Sequence, residues 1–183
     1  MRWVLVALAV VLASVLAVAA SMPAKALNLL AALGGGTRLA DQAYGPLPRQ
    51  RFDLYSPAAS VPRPPLGFPL VVFFYGGSWN SGERADYRFV GQALAARGMV
   101  VMAADYRLYP EVRYPDFLSD CALAAAHALD HAAALGADPK RVFVMGHSAG
   151  AYNAAMMALD PRWLGATQHS PAELAGWIGL AGS

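Results

Sequence analysis

The sequence predicts an α/β protein with a mostly parallel central sheet and helices on both faces. Three short runs carry the first part of that expectation: residues 69–75 (PLVVFFY), 99–105 (MVVMAAD) and 141–146 (RVFVMG). Each is a continuous apolar stretch rich in β-branched or large side chains, the pattern of a strand buried on both faces. Stretches with helical spacing separate them, and strands alternating with helices assemble into a covered parallel sheet.

Taken in order, the chain opens with residues 1–26, MRWVLVALAVVLASVLAVAASMPAKA. Arg2 supplies a short positive start, and residues 3–18 are an unbroken run of apolar and small side chains. Ala17-Val18-Ala19 and Ala24-Lys25-Ala26 both fit a small-x-small cleavage site. The segment reads as a secretory signal peptide or as an uncleaved membrane anchor. The expected location is therefore exported (periplasmic or secreted), or membrane-anchored through residues 1–26. Residues 27–183 form the expected folded domain.

Residues 37–43 and 51–55 read as two strands, with Gly45-Pro46-Leu47-Pro48 turning between them into a hairpin. The Pro-rich stretch 61–68 is a loop. A helix is expected over residues 84–96, with Tyr87, Val90 and Leu94 on one face and Gly98 as its stop. Tyr109-Pro110 and Tyr114-Pro115 mark a loop before a long helix over residues 116–135, closed by Gly136. A helix over residues 149–159 and a strand over residues 175–181 (AGWIGLA) complete the pattern.

Hydrophobic residues make up 57% of the chain and the net charge is +2, so there is no electrostatic footprint for nucleic acid. The arginines are scattered singly and read as solvated surface charge. The one cysteine, Cys121, cannot form an intramolecular disulfide and reads as a small buried hydrophobe.

The chemistry centres on Gly146-His147-Ser148-Ala149-Gly150. A serine between a buried strand and a helix sits on a tight, strained turn that lifts its Oγ above the sheet. Glycines on both sides leave room where strand and helix crowd together, and the helix N-terminus favours developing negative charge. A serine here also reads as an ordinary helix N-cap. Upstream, Tyr75-Gly76-Gly77-Ser78-Trp79 follows the first buried strand. Adjacent glycines let backbone N–H groups approach a reacting atom closely. The N–H groups of Gly77, Ser78 and Ala149 are the expected oxyanion hole.

Together these motifs resemble the α/β-hydrolase superfamily. Within it, the chain is similar to carboxylesterases and kynurenine formamidase-like enzymes that carry His-Gly-Gly-x-Trp. The matching pieces are YGGSW at Tyr75, DYRL at Asp105, Tyr114-Pro115 and GHSAG at Gly146, in that order. One departure is plain: Tyr75 stands where that family has histidine, so the hydrogen bonding of the oxyanion loop is expected to differ. The resemblance implies a serine hydrolase of small carboxylic esters that forms an acyl-enzyme on Ser148, with no cofactor and no metal. An arylformamide is the narrower alternative substrate, and a non-catalytic, truncated or degenerate hydrolase fold is the alternative without turnover. A small membrane-anchored protein that works through residues 1–26 is a third reading.

The family order of serine, acid and histidine leaves the partners of Ser148 unfilled. The chain has four histidines. His147 is an elbow filler. His127 and His131 lie on the long helix as solvent-exposed residues, and with Asp130 they have a spacing that metals use, without a third ligand. Asp160 and His169 have the right order, but Asp160 lies about 18 Å along the elbow helix at ~1.5 Å per residue. The chain therefore reads as a hydrolase fold whose C-terminal strands are missing.

Overall fold

The computed structural model describes residues 27–28 and 36–182, and the expected leader lies outside the described residues. Among the described residues no helix is long and apolar enough to cross a membrane.

β1 (Gly36–Ala43) and β2 (Arg51–Pro57) form the expected antiparallel hairpin. β2 runs antiparallel to β4 (Val100–Ala104). β3 (Phe68–Phe74) lies parallel to β4 on one side and to β5 (Ala137–His147) on the other. β6 (Gly176–Leu180) adds a parallel strand beside β5, so the sheet order is β1-β2-β4-β3-β5-β6. β5 starts earlier than the sequence suggests because it bulges around Pro139, which has no N–H to give to the ladder. Phe68 pairs with Ala137, but Leu70 pairs with Val142.

Among the described residues the sheet is covered by α1 (Arg88–Ala95), α2 (Asp116–His131), α3 (Ala149–Leu159) and the short α4 (Pro161–Gly165). The helix expected from residue 84 opens as a 3-10 turn, Arg84–Tyr87, and turns α-helical only at Arg88. Asn28 explains the break. Its Oδ1 accepts from Phe89 N–H at 2.7 Å, and its Nδ2 donates to the carbonyls of Ala85 and Asp86. The regular part of α2 ends at His131, and the chain closes at Gly136 with φ 84° as Ala137 N–H returns to Ala132 O at 2.8 Å.

Helices sit on both faces because strand side chains alternate. Tyr55 packs toward Gly91 of α1, whereas Phe52, three residues earlier on the same strand, meets His127 of α2 at 5.3 Å. The strand centres are as apolar as their sequence: Leu70, Val72, Phe74, Val101, Met102, Val142 and Val144 are fully buried. Each such side chain contributes roughly 1.5–3 kcal/mol over its exposed state. Cys121 is fully buried, as expected.

Several arginines depart from the expectation of solvated surface charge. Only 14% of the chain is charged, so a large share of its charge goes into partly buried pairs. Arg84 pairs through Nε with Asp53 at 3.0 Å, through Nη2 with Asp41 at 2.7 Å and through Nη1 with Asp105. Arg38 reaches the same Asp53 at 2.6 Å. On the far side of the sheet, fully buried Asp120 accepts from Arg107 N, Nε and Nη2 and from Gln50 Nε2 at 2.8–2.9 Å. These carboxylates tie the loops at the C-terminal strand ends to the sheet and to α2.

Burial opposes ionisation of Asp53, but the Asp41 N–H and the Arg38 and Arg84 guanidiniums outweigh it and hold its pKa below 3.8. A carboxyl depressed in the folded state stabilises above its unfolded pKa and loses that contribution as pH falls through the folded value. The unfolding free energy is therefore expected to fall on acidification below about pH 4. Asp53→Ala should cost about 3–5 kcal/mol at pH 7 and flatten that acid slope. Denaturant titrations of both proteins across pH 2–7 check this.

Candidate active site

β5 ends at His147 and α3 begins at Ala149, so Ser148 alone makes the turn. It does so at φ 52°, ψ −120°, a conformation that costs a non-glycine residue about 1–3 kcal/mol. The turn is possible because strand and helix touch backbone to backbone. A Cβ on Gly146 would lie 1.9 Å from the Gly150 carbonyl oxygen, and one on Gly150 would lie 2.1 Å from the Phe74 carbonyl oxygen. Both glycines are therefore required, as the pentapeptide implied.

The backbone of Ser148 is fully engaged. Its N–H donates to Leu180 O at 2.8 Å at the end of β6, and its carbonyl accepts from Ala151 and Tyr152. Its hydroxyl caps nothing, although the residue occupies the N-cap position of α3. The ordinary N-cap reading therefore does not hold. The residue is half-buried, and among the described residues its Oγ has no hydrogen-bond partner.

The glycine loop after β3 lies directly against this turn. A Cβ on Gly76 would come within 3.0 Å of Ser148 Cβ and within 2.8 Å of the His147 carbonyl oxygen. Gly77, Ser78 and Trp79 follow with φ 132°, 51° and 58°. Three consecutive positive φ values make a tight left-handed turn that glycine at 77 eases and that Ser78 and Trp79 adopt under strain. Among the described residues, no acceptor is hydrogen-bonded to the N–H of Gly77, Ser78 or Ala149.

Trp79 pins the loop from the other side. Its Nε1 donates to Asn153 Oδ1 at 2.9 Å, and its ring stacks on Phe117 and meets Tyr152 edge-on. Asn153 was missed from the sequence, although a polar residue inside the apolar run AGAYNAAMMAL is a signal that such a side chain has a buried partner. A groove of about 290 Å³, lined by Ala151, Tyr152, Ala155, Trp177, Gly179 and Gly182, opens between α3 and β6.

The histidines lie elsewhere. His147 Nδ1 meets Tyr87 OH at 2.9 Å, as befits a filler of the elbow. His169 pairs with Asp130 at 3.3 Å and Glu173 at 3.1 Å, and Asp160 caps α4 by accepting from Arg162 N–H. His127 corrects the expectation of full exposure: it is half-buried between Phe52 and His131, and burial, with His131 beside it, lowers its pKa. Among the described residues no histidine hydrogen-bonds Ser148, and no three His, Cys, Asp or Glu side chains converge on a point that fits a metal ion.

Residues 52–167 match the BD-FAE family. The chain belongs to that family, within the α/β-hydrolase superfamily. It is 37% identical over 117 residues to isoprenylcysteine alpha-carbonyl methylesterase ICME of Arabidopsis thaliana, a match covering 64% of this chain and 26% of that protein. It is 39% identical over 98 residues to carboxylesterase NlhH of Mycobacterium tuberculosis, covering 53% of this chain and 31% of that one. Among solved structures, the esterase Est2 of Thermogutta terrifontis superposes with a TM-score of 0.64 at 32% identity, covering 81% of this chain and 53% of Est2. The chain thus spans about a quarter of the length of the curated methylesterases and about half of Est2.

If Ser148 is held against its own conformational preference, glycine should relieve it. Ser148→Gly is expected to be more stable than Ser148→Ala by about 1 kcal/mol. Gly146→Ala is expected to destabilise the fold strongly, because its Cβ meets backbone. Chemical denaturation of the three variants checks the order.

Proposed function

We propose that the chain carries the nucleophile and the oxyanion hole of a serine hydrolase of small carboxylic esters. The observation that carries this reading is the uncommitted Ser148 Oγ on a strained turn, with the Gly76–Gly77 loop packed directly against it. The named relatives are esterases, which supports an ester as the substrate class.

In this reading Ser148 Oγ attacks the ester carbonyl carbon and gives up its proton to a base. The carbonyl oxygen becomes an oxyanion and accepts from the N–H groups of Gly77, Ser78 and Ala149. Collapse expels the alcohol, which takes the proton back from the base. Water then hydrolyses the acyl-serine by the same steps. In this reading none of the four histidines serves as the base, since among the described residues each has partners other than Ser148. The leader reading makes the enzyme an exported one, and a mature N-terminus near Ala20 or Leu27 is its expected sign.

Fluorophosphonate labelling of the protein from its native source, with intact mass and peptide mapping, tests the proposal. The expected outcome is a single label on Ser148, a mass above that of the 183-residue chain, and loss of the label in Ser148→Ala. No label on a protein whose mass does not exceed that of this chain sinks the esterase reading in favour of a non-catalytic hydrolase fold.

A further inference from the structure

Arg49 lies in the turn between β1 and β2, outside every motif considered above, yet its guanidinium reaches three separate segments around the glycine loop. Nη2 donates to Tyr75 OH at 2.7 Å and to Gly82 O at 2.9 Å, and Nε donates to Tyr106 O at 3.0 Å. Tyr75 is the residue that enters the loop from β3, and Gly82 is where the loop leaves. Tyr106 follows β4 and closes the ring of contacts: its hydroxyl donates to Tyr75 O at 2.7 Å, and its ring stacks on that of Tyr75 at 4.6 Å and 16°. Both tyrosines are fully buried. Within the loop, a Cβ on Gly82 would lie 2.7 Å from Gly76 O, so its two ends touch.

We infer that Arg49 is the positioning residue of the oxyanion loop, acting through Tyr75 and Gly82. This rests on the esterase reading of Ser148. Two non-glycine residues, Ser78 and Trp79, are held at positive φ, and such a loop keeps one shape only when its surroundings over-determine it. Trp79 and Asn153 hold it at one point. Arg49 holds both ends, with a planar fork whose donors match several acceptors at once. Tyr75 OH is a suitable acceptor: a neutral phenol oxygen takes the Nη2 hydrogen bond, and burial pushes its pKa further up. The aromatic side chain at the head of the loop therefore works with Arg49 as one unit, and a shorter residue in place of Tyr75 would leave Nη2 without that acceptor.

Amide hydrogen exchange and kinetics on Arg49→Met, Arg49→Lys and Tyr75→Phe test this. In Arg49→Met, exchange is expected to rise at residues 76–82 while β3, β4 and β5 stay protected. The phosphonylation rate of Ser148 and kcat for p-nitrophenyl acetate should fall by about 10- to 100-fold, the scale of a misplaced catalytic group, with KM little changed. Arg49→Lys should recover part of the loss, and Tyr75→Phe should show a smaller local change of the same kind. Unchanged exchange at residues 76–82 in Arg49→Met overturns the inference, as does increased exchange with unaltered kinetics. If Arg49→Met fails to fold, Tyr75→Phe decides on the same two readouts. A wild-type protein that neither hydrolyses the ester nor takes the probe, yet shows the localised exchange difference, refutes the esterase reading and leaves Arg49 as an organiser of the loop.

Discussion

The structure depends on one close crossing. α3 crosses so close to the end of β5 at Gly146, and to the end of β3 at Gly150, that no side chain fits at either position, and the residue that turns the corner lies at φ 52°. Everything else at the site is arranged around that contact. The end of β6 accepts the Ser148 N–H, the first turn of α3 binds its carbonyl, and the glycine loop after β3 closes over its Cβ. With both backbone groups satisfied locally, the hydroxyl is left without a partner among the described residues. An ordinary capping serine would spend that hydroxyl on the helix.

Strain of this kind needs a rigid frame, and an apolar chain with few charges builds one with arginines. Three of them clasp loops at the C-terminal ends of the strands. Arg84 ties the start of α1 to Asp53, Asp41 and Asp105; Arg107 locks the segment after β4 to Asp120; Arg49 joins the two ends of the glycine loop. A guanidinium suits this work because its several donors point in fixed directions, so one side chain satisfies carbonyls and carboxylates from separate segments. Buried pairs such as these contribute little net stability over an apolar alternative, but they are costly to break singly. Their effect here is to hold loops in one register relative to the sheet.

Much of the fold was legible because its signals are local. Continuous apolar runs mark strands whose two faces are both covered, and Gly136 marks the turn into β5, although α2 itself ends earlier, at His131. The boundaries that shifted did so for non-local reasons. Asn28 intercepts the Phe89 N–H and delays the α-helix, and pairing with β3 carries β5 past Pro139. His127 and the arginines were read as exposed because burial of a polar side chain depends on partners far away in sequence, such as Phe52 and Asp53.

By itself, then, the sequence determined the order of strands and helices, the glycines at the elbow and the identity of the serine on it, since each follows from the spacing or the size of neighbouring residues. The tertiary structure decided what surrounds that serine. Only packing could show that Trp79 bonds Asn153, that Arg49 reaches Tyr75, Gly82 and Tyr106, and that His127, His131, His147 and His169 each pair with groups other than Ser148. Those contacts join residues brought together by the sheet and its crossovers, and no local pattern of side chains encodes which distant partner a buried polar group will meet.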